Sequence, residues 1–245
     1  MIDKNWFTSF KTNPDNSYRL FCFHYAGGSA AAYRSWSKDI ASNIDLIAIQ
    51  LPGRENRFGE ALIDKMEVIV ENLYDHFLDF HDKPYIFFGH SLGSLVAFEF
   101  ANKLQERGHS GLKHLIVSGS RAPHVPLGLR TIYNLPDLEL FAEIQKYNGI
   151  PQDLLNEKEL LMEIMLPIIR ADFTISDLYQ CDPTVKLLAP ITAFGGNEDY
   201  TFAFASLLKW SVHTDIFRHI RFSGDHFFIN SSYQEVITQI NEIIN

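Results

Sequence analysis

The chain has 245 residues, 46% of them hydrophobic and 21% charged, with a formal net charge of −9. That is enough apolar material for one large core, and the acidic balance argues against nucleic acid and anionic membrane surfaces as main partners. No apolar run approaches the about 18 residues that span a bilayer. Met1-Ile2-Asp3-Lys4-Asn5 lacks the basic-then-apolar pattern of a signal peptide. Two cysteines, Cys22 and Cys181, make no disulfide framework. A cytoplasmic location is therefore expected, with Cys22 acting as a small apolar residue in a core strand.

The first strand is expected over residues 19–23. It runs into His24-Tyr25-Ala26-Gly27-Gly28-Ser29 and a helical stretch with Ala31, Ala32, Tyr33 and Trp36. A second strand is expected over 46–50. Met66, Ile69, Val70, Leu73, Phe77 and Phe80 then recur at steps that give a helix one apolar face. A third strand over 85–88 leads to Gly89-His90-Ser91-Leu92-Gly93 and directly into an apolar helix beginning at Ser94. A fourth strand is expected over 115–118.

No strand pattern occurs between about 123 and 185. Helices are expected there at 137–145, 156–165 and 168–178, punctuated by prolines. Further strands are expected over 191–194 and 217–222, followed by a helix carrying Val236, Ile237, Ile240, Ile243 and Ile244. Alternating apolar strands and amphipathic helices imply an α/β fold: a mostly parallel sheet with helices on both faces. The block at 123–185 reads as a helical insertion within a single domain spanning 1–245. It is either a lid shaping a pocket or an elaboration with no gating role. No internal repeat or linker marks a second domain.

Gly89-x-Ser91-x-Gly93 between strand and helix has the form of a nucleophile elbow. The sharp turn exposes the serine, and the glycines leave room for strained backbone and a close helix crossing. A serine hydroxyl needs a base, and the base an orienting acid. His226, in Ser223-Gly224-Asp225-His226 after the sixth predicted strand, is the candidate base. His24, His81, His109, His114, His124, His213 and His219 lack such a loop, and the side chain of His90 is expected to point away from that of Ser91. Asp199, after the fifth strand in Gly195-Gly196-Asn197-Glu198-Asp199, is favoured as the acid over Glu198 and Asp225, although Glu198 competes closely. Free amides at the helix start point where negative charge develops, so the Leu92 N–H is one expected oxyanion donor. The second is expected from the glycine loop at 24–29.

Five segments occur in order: Phe21-Cys22-Phe23-His24-Tyr25-Ala26-Gly27-Gly28-Ser29; Gln50-Leu51-Pro52-Gly53-Arg54-Glu55; Gly89-His90-Ser91-Leu92-Gly93; Leu166-Pro167-Ile168-Ile169-Arg170-Ala171-Asp172-Phe173; and Gly224-Asp225-His226-Phe227-Phe228. Together they resemble the type II thioesterases of nonribosomal peptide and polyketide synthetases, over about Phe21 to Asn230. The resemblance implies an α/β-hydrolase fold with a helical lid, and hydrolysis of acyl groups from the phosphopantetheine arm of acyl or peptidyl carrier proteins. It implies a triad of Ser91, Asp199 and His226, with oxyanion donors at the backbone N–H groups of Ala26 and Leu92. No metal or other cofactor is implied, and a monomer is expected. His24 stands where many members have proline, and Ser94 where many have a small apolar residue. Arg54 is expected as a loop anchor paired with an acid. Alternatively it contacts the carrier, as Arg34, Lys38 and Arg57 would. The competing functions are a free-standing carboxylesterase or lipase, and a hydrolase-fold binding module without activity.

Overall fold

The computed structural model describes residues 6–126, 131–147, 159 and 161–244. Seven strands form one sheet: β1 (Phe7–Lys11), β2 (Tyr18–Phe23), β3 (Ile44–Ile49), β4 (Tyr85–His90), β5 (Leu112–Ser118), β6 (Ile191–Gly196) and β7 (Phe217–Phe222). Their order is β1-β3-β2-β4-β5-β6-β7. β1 runs antiparallel to β3, and every other pairing is parallel.

All six strands expected from sequence are present, most of them longer at one end. Gly89-His90 and Gly195-Gly196 belong to the ends of β4 and β6 rather than to turns. β1 was not expected. Its partly exposed Thr8, Ser9 and Lys11 interrupt any apolar run, because an edge strand buries little more than Phe7. It pairs Phe7 with Ile49 and Thr8 with Ala48, and its register slips between Ser9 and Lys11.

Period-two alternation divides the core. Phe21, Phe23, Phe87 and Tyr85 pack on one face beneath the helices α1 (Met66–Phe77) and α2 (Leu92–Glu106). Leu20, Cys22, Ile86 and Phe88 pack on the other, against the 3-10 helix Ala30–Lys38 and α5 (Tyr233–Ile244). Cys22 is fully buried there, as a small apolar residue would be.

Between β5 and β6 lie α3 (Asp137–Gln145), a wide π-type turn at Leu161–Met165 and α4 (Leu166–Leu178). No strand occurs among the described residues from 123 to 185. α3 has the expected bounds. α4 starts two residues before the expected position, with Pro167 in its first turn, where a missing N–H costs nothing. Of the helix expected at 156–165, residues 156–158 and 160 lie outside the described residues, Glu159 is helical, and Leu161–Met165 form the π-type turn. Leu140, Phe141, Ile144, Leu161, Leu166 and Ile169 form a separate apolar cluster that joins α3 to α4. Among the described residues, no helix is long and apolar enough to cross a membrane.

The strand order reverses at β2. The chain passes from β2 to β3 on one side, then returns to β4 on the other. The segments following β2 and β4 therefore adjoin at the carboxyl edge of the sheet, where such a reversal opens a crevice.

Candidate active site

Ser91 lies in that crevice with φ 54° and ψ −119°, a left-handed conformation rare for a residue with a side chain. Its neighbours explain the spacing of the motif. A Cβ on Gly89 would sit 2.2 Å from the Gly93 carbonyl oxygen, and a Cβ on Gly93 would sit 2.0 Å from that of Phe23. Only glycine lets β4, α2 and β2 approach this closely. The elbow is braced by the Ser91 N–H, which donates to the Ser118 carbonyl at 2.8 Å. The buried Ser94 hydroxyl lies 2.7 Å from the Gly89 carbonyl oxygen and accepts from the Ser118 N–H at 3.0 Å. In the sequence Ser94 stood out only as a departure from the family pattern. The polar contacts show what it does: it ties β4 to β5 under the turn.

His226 and Asp199 meet as expected. His226 Nδ1 lies 2.9 Å from Asp199 Oδ2, with the two side chains 6% and 3% exposed. Thr201 completes the arrangement. Its N–H and its hydroxyl donate to Asp199 Oδ1 at 3.0 and 2.6 Å, and its Oγ1 lies 3.2 Å from His226 Nδ1. Sequence reading missed Thr201, although an aspartate followed two residues on by threonine is a known local turn signal. Burial works against ionisation of Asp199. The hydrogen bond and charge of His226, together with the bonds from Thr201, outweigh it and hold the carboxyl below its ordinary value. The rival acids are occupied elsewhere. Glu198 accepts from the Gly224 N–H, and Asp225 Oδ1 from the Phe227 N–H at 2.9 Å, so both shape the loop that carries His226.

Ser91 and His226 line one cleft. No hydrogen bond from His226 reaches the Ser91 hydroxyl among the described residues; its bonds run to Asp199 and Thr201. Bonds of this kind are commonly long without substrate and tighten when it binds. Ile144, Tyr147, Met165, Ile169 and Phe173 from the 123–185 block form much of the cleft wall. The Tyr147 ring stands 5.4 Å from that of His226. His90 is fully buried, 5.2 Å from the His226 ring, with its Nδ1 2.9 Å from Ser118 Oγ.

Ala26 also lines the cleft, and Leu92 opens α2 beside Ser91. Among the described residues, neither the Ala26 nor the Leu92 amide donates to a protein acceptor, whereas the Gly27 and Gly28 amides both do. Arg54 proves to be buried. It grips Asp172 of α4 through two bonds of 2.7 and 2.8 Å, and donates to the Gly28 carbonyl at 3.0 Å. Of the four cations considered for carrier contact, Arg54 and Arg57 are each 5% exposed, and Arg57 pairs with Glu60, so neither presents its charge to a partner. Arg34 and Lys38 are exposed.

The family model described as the thioesterase domain matches residues 18–244. The chain belongs to the thioesterase family. Linear gramicidin dehydrogenase LgrE of Brevibacillus parabrevis is 36% identical to this thioesterase over 98% of this chain and 92% of that protein. Gramicidin S biosynthesis protein GrsT of Aneurinibacillus migulanus is 37% identical over 95% of this chain and 91% of its own length. Among solved structures, the type II thioesterase BorB from the borrelidin biosynthetic cluster superposes with a TM-score of 0.88 at 30% identity, covering 98% of both chains. The fold of the thioesterase is accordingly that of the α/β-hydrolases, and the resemblance read from the five sequence segments holds.

Proposed function

We propose that this thioesterase removes acyl groups from the phosphopantetheine arm of acyl or peptidyl carrier proteins, clearing misloaded carriers in nonribosomal peptide or polyketide synthesis. The observation that carries the chemistry is the bonded Asp199–His226 pair opening, with Ser91, onto one largely apolar cleft. The biosynthetic setting is supported by relatives whose names place them in gramicidin S and borrelidin biosynthesis.

Ser91 Oγ attacks the thioester carbonyl carbon, and its proton passes to His226 Nε2. Asp199 accepts from Nδ1, which fixes the tautomer and stabilises the imidazolium. The carbonyl electron pair becomes an oxyanion held by the Ala26 and Leu92 amides. Each donor of this kind typically contributes about 3–4 kcal/mol. The pantetheine thiolate departs with the proton from His226. The oxygen of a water molecule then attacks the acyl carbon while its proton passes to His226; collapse of the oxyanion breaks the acyl–Oγ bond, and His226 returns that proton to Ser91 Oγ as the acid leaves. Protons and electrons balance without a metal or redox cofactor.

Residues of about 123–185 act as a lid on a single domain spanning 1–245, supplying Ile144, Met165, Ile169 and Phe173 as the acyl-binding wall. The enzyme works as a cytoplasmic monomer, with the carrier as its macromolecular partner. A panel comparing acyl-loaded carrier proteins, acyl-CoA and small activated esters tests this reading. Strong preference for the loaded carrier supports it; rapid ester turnover with the carrier ignored identifies a general esterase instead.

A further inference from the structure

We infer that Arg54, Asp172 and His24 are positioning residues for the second oxyanion donor, fixing the two peptide planes that bracket Ala26. This rests on the proposed reading of Ala26 as that donor.

The plane before Ala26 contains the Tyr25 carbonyl and the Ala26 N–H. The Tyr25 oxygen is held by the Gly28 N–H at 2.9 Å and by His24 Nδ1 at 2.9 Å. In a trans peptide the carbonyl and the N–H point in opposite directions. Anchoring the Tyr25 oxygen on the protein side therefore turns the Ala26 N–H away from it, toward the cleft that Ala26 lines. The plane after Ala26 ends in the Gly27 N–H, which donates to Asp172 Oδ2 at 2.7 Å. Asp172 is itself clamped by the Arg54 fork, and the same guanidinium reaches the Gly28 carbonyl at 3.0 Å. Asp172 is fully buried and Arg54 is 5% exposed, so this pair works with little solvent screening.

The His24 ring supplies a side-chain donor for the Tyr25 oxygen, which a proline at this position could not. It is 2% exposed, and its Nε2 has no hydrogen-bond partner. A buried polar ring with one orphaned nitrogen is costly to retain for packing alone.

α4 supplies the third side. Ile169, Asp172 and Phe173 share one helical face. A Cβ on Gly27, where φ is +73°, would lie 2.7 Å from Ile169 Cγ1. The helix that walls the acyl site through Ile169 and Phe173 thus also fixes the oxyanion loop. Neither motif signals this alone, since Arg54 and Asp172 are 118 positions apart.

The test uses His24→Phe, Arg54→Lys and Asp172→Asn in the full-length enzyme. Turnover of an acetyl-loaded peptidyl carrier protein is measured alongside inhibition by an alkyl trifluoromethyl ketone. With the ketone, Ser91 Oγ adds to the carbonyl carbon, its proton passes to His226, and the carbonyl electron pair becomes the oxyanion. We expect kcat to fall about 10- to 100-fold with KM within twofold, and ketone affinity to fall by the same factor, approaching the loss of one donor. Lower melting temperatures with unchanged kcat and ketone affinity in the folded enzyme overturn the inference and leave a structural role only. Asp172→Asn leaves a buried guanidinium without its counter-charge. If it fails to fold, His24→Phe, which keeps the ion pair, decides. Wild-type enzyme inactive on loaded carrier counts against the proposed function instead, while the ketone comparison still reads the donor.

Discussion

His24 gives the clearest link between burial and pH. Burial, reinforced by the Arg54 charge, pulls its pKa down from 6.5 to about 4, against weaker upward effects of Asp172 and the Tyr25 carbonyl bond. In the unfolded chain the imidazole titrates near 6.5. Between these two values the unfolded state binds the extra proton, so stability rises with pH. The neutral ring carries no penalty above about pH 6.5. The loss accumulates as pH falls and saturates below about pH 4. The full span is about 2.5 units at 1.36 kcal/mol each, or roughly 3 kcal/mol, of which about 2 kcal/mol is already lost at pH 5. Urea unfolding of the wild type and of His24→Phe at pH 7.5 and pH 5 reads this directly. The variant is offset at both pH values by its lost hydrogen bond, worth about 1 kcal/mol. Its loss between the two pH values should nevertheless be smaller than that of the wild type by about 2 kcal/mol. His90 and His114, whose pKa values are also lowered chiefly by burial, contribute equally to both proteins and cancel. Equal losses in the two proteins would refute the reasoning.

Asp199→Asn keeps the shape of the acid but cannot hold the imidazolium. It should lower kcat by about 10⁴-fold, as loss of a triad carboxylate does elsewhere, with little change in folding by circular dichroism. Ser94→Ala removes the hydroxyl acceptor of the buried Ser118 N–H, and should cost about 1–3 kcal/mol in denaturant unfolding. Gly93→Ala places a methyl 2.0 Å from the Phe23 carbonyl oxygen and should leave little soluble, folded protein. An alanine variant with wild-type yield and melting temperature would show that β2 and α2 do not approach as described.

How much of this was legible depended on whether the signal was local. The inner parallel strands β2 to β6 were readable because burial on both faces leaves near-continuous apolar runs, whereas the edge strand β7 is mostly exposed or half-buried. The antiparallel edge strand β1 was not readable, since Phe7-Thr8-Ser9-Phe10-Lys11 mixes polar and apolar residues as loops also do. The elbow was readable because steric demands at Gly89 and Gly93 fall within five residues. His226 and Asp199 could be proposed because each follows a recognisable strand. The residues alone favour Asp199 over Glu198 only narrowly, and the resemblance settles the choice, since the two are adjacent and only the fold of the turn separates their directions. Thr201 and Ser94 act through hydrogen bonds that no pattern of hydrophobicity records. The partnership of Arg54 and Asp172 required the fold, because two remote segments must converge before an expected loop anchor acquires its acid. The same convergence excluded Arg54 as a surface contact.

The most direct test of the account is the intact mass of an acyl-loaded carrier protein before and after incubation with the enzyme or with Ser91→Ala. The account predicts loss of the acyl mass, with the phosphopantetheine arm retained, for the wild type, and an unchanged loaded carrier for a folded variant. Equal deacylation by the two proteins would contradict it.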